Sequence, residues 1–77
     1  MIDERLRTIL ADVLGLDPDA VTDATAAGEV KAWDSVRHLQ LVLAIEGDFD
    51  LAFDPEEIPT LTSAGAIQQA LAAKGLL

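Results

Sequence analysis

Residues 33–36 read Trp-Asp-Ser-Val and stand where a polar stretch gives way to a long apolar-rich segment. A serine at the start of a helix has chemistry open to it. Its hydroxyl is exposed, unused backbone N–H groups lie beside it, and the positive end of the helix dipole favours a phosphate. The same residues also make an ordinary cap, since Asp34 and Ser35 are both good N-cap types. On these four residues alone both readings of Ser35, phosphate anchor and cap, stay open.

The remaining side chains offer little chemistry. The single histidine, His38, falls inside the same helix and toward its core side, which suits a structural role. Asp48, Asp50 and Asp54 are acidic, but they lack the calcium loop's alternating ligands, its glycine at the sixth position and its glutamate at the twelfth. There is no P-loop, no GxGxxG and no nucleophile–base pair. With no cysteine, there is no thiolate nucleophile, no disulfide and no zinc site of Cys type. The chain is therefore not expected to be an enzyme or to hold a metal, and any thiol must come from an attached group.

Ser35 has to be placed by helices. Ile2, Leu6, Ile9, Leu10, Val13 and Leu14 repeat at three-and-four spacing, which predicts a first helix over about residues 2–14, closed by Gly15. Residues 15–33 form a long connection with an Asp17-Pro18-Asp19 turn and two isolated anchors, Leu16 and Val21. Connections this long are usually functional, and this one ends at Ser35. A second helix follows from about Ser35 to Glu46, with Gly47 near its end. Leu41, Val42, Ile45 and Phe49 form its core arc. Val36, Gln40 and Leu43 fall opposite, as a partner-binding face or as scattered surface apolars.

Asp54-Pro55-Glu56-Glu57 predicts a short third helix, with Asp54 as cap, Glu57 completing a capping box, Ile58 turned inward and Pro59 as the stop. Thr62 or Ser63 then caps a last helix with Ala64, Ile67, Ala70 and Leu71 inward, Lys74 near its end and Gly75 closing it. The expected fold is all-α: a small four-helix bundle with three long helices, one short helix and a long loop between helices one and two. Residues 1–77 make a single domain.

Composition agrees. The chain is 77 residues long and 51% hydrophobic, with only two Phe and one Trp, so its core must be mostly aliphatic. A formal charge of −9 repels nucleic acid and anionic membranes and attracts basic protein surfaces. No apolar run nears the roughly 18 residues that span a bilayer, and no signal peptide is expected ahead of the first helix. A cytoplasmic monomer that binds neither nucleic acid nor membrane is expected.

Across essentially its whole length, the chain resembles an acyl carrier protein. Asp34-Ser35-Val36 is similar to the family's Asp-Ser-Leu motif, and Leu41-Val42-Leu43-Ala44-Ile45-Glu46 with Phe49 is similar to its second helix. Leu14-Gly15-Leu16-Asp17-Pro18 and Leu61-Thr62-Ser63-Ala64-Gly65 are similar to the end of its first helix and the lead-in to its last.

The resemblance implies that Ser35, beside Asp34, carries 4′-phosphopantetheine through a phosphodiester, and that the arm's thiol holds an acyl thioester. It implies three sets of partners: a phosphopantetheinyl transferase, an acyl- or aminoacyl-activating ligase, and acyl-transferring or condensing enzymes. Val36, Arg37, Gln40, Leu43 and Glu46 are the residues expected to meet them.

Fatty-acid members of the family usually carry acids just after the serine, where this chain has Arg37, His38 and Gln40; acids return only at Glu46 and Asp48. Trp33 stands where a small residue is common. Both departures set the chain apart from primary fatty-acid synthesis and resemble freestanding carriers of specialised pathways, which take polyketide, aminoacyl or other unusual acyl groups. Two alternatives stand beside it. One is a peptidyl or D-alanyl carrier loaded by an adenylating ligase. The other is an unmodified helical interaction module that binds through Val36 and Leu43.

Overall fold

A computed structural model describes residues 2–77. Three α-helices follow one another, α1 (Glu4–Leu14), α2 (Ser35–Phe49) and α3 (Ala64–Ala73), with a 3-10 turn in each connection, Pro18–Ala20 and Ile58–Thr60. The all-helical expectation holds, and the described residues contain no strand, only an isolated bridge between Ala26 and Ser63.

α1 is bounded by local chemistry. The Asp3 carboxylate accepts from the amides of Arg5 and Leu6, which the helix itself leaves unpaired. Gly15 closes the other end at φ 68, a left-handed conformation that costs a glycine little. Between them Leu6, Leu10 and Leu14 are buried, four residues apart on one stripe. Facing them, α2 buries the expected arc of Leu41, Val42, Ile45 and Phe49, and α3 adds Ala64, Ile67 and Leu71.

The long connection is not loose. Its backbone runs alongside the start of α3, with the Ala27 amide donating to Thr62 O at 2.8 Å, Ala64 to Thr25 O at 2.8 Å and Gly65 to Asp23 O at 2.9 Å. At residue 65 the two segments approach closely, and a Cβ there would stand 3.0 Å from Asp23 O, tighter than ordinary contact. Val21, fully buried, and the partly buried Leu16 pin the connection to the core as anticipated. This connection delivers the chain to Ser35.

Two sequence expectations need correction. α2 does not end near Glu46 and Gly47 but continues to Phe49, where Asp50 takes up φ 54 and its amide donates to Glu46 O. Burying the Phe49 ring extends the helix past a glycine that merely weakens it. The short third helix is likewise absent: residues 55–57 form a turn leading into the 3-10 turn Ile58–Thr60, so the bundle has three α-helices. The Glu57 half of the capping box does form, with Oε1 accepting from the Asp54 amide at 3.0 Å. Pro59, expected to end the helix, sits at the start of the 3-10 turn instead, where its missing N–H is not needed.

Candidate functional site

Asp34, not Ser35, caps α2. Its Oδ1 accepts from the Arg37 amide at 2.8 Å, and its carbonyl accepts from the His38 amide at 2.8 Å. Ser35 is thereby relieved of capping. It is exposed, and its hydroxyl has no hydrogen-bond partner among the described residues. The amides of Ser35 and Val36 precede the first helical hydrogen bond, so they stay available at the positive end of the dipole. Ser63, the chain's other serine, is different: it is half-buried, and its Oγ accepts from the Ala66 amide as the cap of α3.

Beside Ser35 an open, mostly apolar cleft of about 440 Å³ is lined by Ala27, Trp33, Leu39, Ile58 and Pro59, with Asp34, Ser35, His38 and Thr62 completing it. Its volume lies in the range of small-molecule sites. Trp33, only 5% exposed, forms one wall, and the 3-10 turn Ile58–Thr60 forms another.

His38 joins these walls. The Trp33 indole N–H donates to His38 Nδ1 at 2.9 Å, and His38 Nε2 lies 2.8 Å from the Ile58 carbonyl oxygen. The two rings stack at 6.1 Å between centroids. The turn before Ile58 is held from outside, where Lys74 Nζ meets Glu57 Oε1 at 3.0 Å. The Asp54 amide first, and Lys74 second, hold the Glu57 carboxyl below the ordinary glutamate range.

The residues expected to meet partners divide. Val36 and Leu43 are 62% and 67% exposed, and Gln40 is exposed with them. Arg37 is also exposed, but its Nη1 donates to the Val13 carbonyl at 2.7 Å. Glu46 is half-buried, and its Oε2 accepts from the Phe53 amide at 2.8 Å. Sequence reasoning missed Leu39, 56% exposed between the cleft and the open face of α2. It also missed Trp33 and Ile58 as cleft walls, since both lie outside the α-helices and no helical spacing ties them to His38.

An exposed, unbonded serine hydroxyl, free helix-start amides and an apolar cleft at its side suit a phosphodiester-linked arm. Residues 4–71 match the family described as phosphopantetheine attachment site. The chain belongs to this phosphopantetheine-attachment family. It is 35% identical over 66 residues to an acyl carrier protein of Akkermansia muciniphila, covering 86% of this chain and 82% of that relative. As a member of the acyl carrier protein family, the chain is a carrier and not an enzyme, and its cofactor is covalent 4′-phosphopantetheine.

Proposed function

We propose that Ser35 is the attachment residue and that the chain carries acyl or aminoacyl groups as thioesters between biosynthetic enzymes. One observation carries this reading. Asp34 takes the capping role and leaves the Ser35 hydroxyl free, whereas the Ser63 hydroxyl is spent on its own helix. The bound arm supplies the thiol that the chain lacks. Ser35 Oγ provides the ester oxygen, and the Ser35 and Val36 amides stand ready for the phosphodiester's negative charge. The apolar cleft offers shelter to the arm and the first carbons of its cargo.

Partner choice follows from α2. Its open face presents Val36, Leu39, Gln40 and Leu43, all neutral, while Arg37 and Glu46 are engaged within the molecule. The net charge of −9 draws basic partners from a distance, and the neutral face selects among them by apolar contact. Such a face supports a specialised pathway over a fatty-acid synthase that reads acids beside the serine. The partners proposed are a cytoplasmic phosphopantetheinyl transferase, an activating ligase for an acyl or aminoacyl group, and acyl-transferring or condensing enzymes.

Proteolysis of the modified protein tests the attachment. The peptide containing Ser35 should bear the added group and the peptide containing Ser63 should not; the group on Ser63 would overturn the assignment.

A further inference from the structure

The bridge at His38 permits one protonation state. An indole N–H is only a donor and a backbone carbonyl is only an acceptor. With Trp33 Nε1 at 2.9 Å from Nδ1, that nitrogen must accept, so Nε2 must carry the proton it donates to Ile58 O at 2.8 Å. The ring in place is the neutral Nε2–H tautomer. We infer that His38 is the positioning residue of the cleft, fixing Trp33 and the Ile58–Thr60 turn as its walls while neutral and releasing the Trp33 wall when a proton from solvent binds Nδ1.

The physics runs through the buried indole. Protonation forms an N–H bond at Nδ1 and sets donor against donor, while the bond from Nε2 to Ile58 O is kept. Trp33 is 5% exposed, and a buried N–H without an acceptor is costly, so the indole has to turn toward an acceptor elsewhere. The cleft then loses one wall and keeps the other.

His38 is the only histidine here, so a single imidazole governs the bridge. The cleft lining holds one other titratable group, Asp34, which is engaged with the Arg37 amide. The elements around the cleft add Arg37 on α2, bonded to Val13 O, Glu57 before the turn, paired with Lys74 at the end of α3, and the exposed Glu29 and Lys31 on the long connection. None of these five lines the cleft. That the opened cleft would shelter an arm and its cargo less well rests on Ser35 as the attachment residue. The bridge itself does not, and it is read on the unmodified chain.

Trp33 is the only tryptophan and the chain has no tyrosine, so its emission and its indole N–H resonance report this wall alone. On stepwise acidification, the indole proton of the full unmodified chain should move upfield in one single-proton step. Its midpoint should coincide with that of the His38 ring resonances, with helical circular dichroism unchanged. His38→Gln offers an acceptor and a donor that do not titrate, so it should abolish the step. Asp34→Asn should keep it. An indole resonance that stays put while the imidazole titrates, or a step that survives in His38→Gln, would overturn the inference. If His38→Gln does not fold, the coincidence of midpoints in the wild type still decides.

Discussion

Arg37 reaches back from the first turn of α2 to the Val13 carbonyl, 2.7 Å away, and ties the start of α2 to the end of α1. The last turn of α1 has no basic residue of its own, and Arg37 brings a cation to the Val13 carbonyl there. A residue expected from sequence to face partners therefore also holds the scaffold of Ser35.

Arg37→Glu should consequently have two separable effects. Loss of the Val13 bond should lower stability by about 0.5–1.5 kcal/mol, measured by denaturant melts. The new acid should speed encounters with fatty-acid synthase enzymes that present a basic patch and slow those with the native partner, with both effects fading as salt rises. Arg37→Gln should share the stability loss but not the salt-dependent gain. Unchanged stability in both variants would mean that the Val13 contact contributes nothing.

Val36→Asp and Leu43→Asp should fold as the wild type does, since neither side chain is part of the core. Both should slow loading or acyl transfer by cognate enzymes. Full partner activity in both variants would remove the open face of α2 from recognition.

Much of this arrangement is legible in the residues because it is local. Gly15, Asp34 and Ser63 act within one turn of themselves, and the core arcs of α1 and α2 follow helical spacing. The misreadings lie where distant segments decide. Phe49 carries α2 past Gly47 because a core built from other helices receives its ring, and Glu46 turns inward to an amide at Phe53. Trp33 lies outside the helices and has no periodic partner, so only the fold reveals that it is buried against His38. The 3-10 turn at Ile58 takes its shape partly from Lys74, a residue on another element.

Two glycines should respond in opposite directions to alanine. Gly47 lies inside α2 with open space where a Cβ would sit, so Gly47→Ala should stabilise by about 0.5–1 kcal/mol. At Gly65 the added carbon meets Asp23 O at 3.0 Å and pushes the long connection from α3, so Gly65→Ala should lower the melting temperature. A gain at both positions would show that the connection yields freely.

Glu57 should make part of the stability depend on acid. Its carboxyl is held below the ordinary range by the Asp54 amide and then Lys74, so the folded state favours the ionised form. That contribution is complete above the unfolded glutamate's range and is lost as pH falls through the lowered folded value. The stability difference between wild type and Glu57→Gln should therefore shrink on acidification below about pH 4.5. A difference independent of pH would contradict this.

The most direct measurement is the intact mass of wild type, Ser35→Ala and Ser63→Ala after incubation with coenzyme A and a broad-specificity phosphopantetheinyl transferase. Wild type and Ser63→Ala should each gain one phosphopantetheine, and Ser35→Ala, with its helical circular dichroism intact, should gain none. Modification of Ser35→Ala, or a wild type that stays unmodified with an active transferase, would contradict the assignment of Ser35 as the residue that carries the arm.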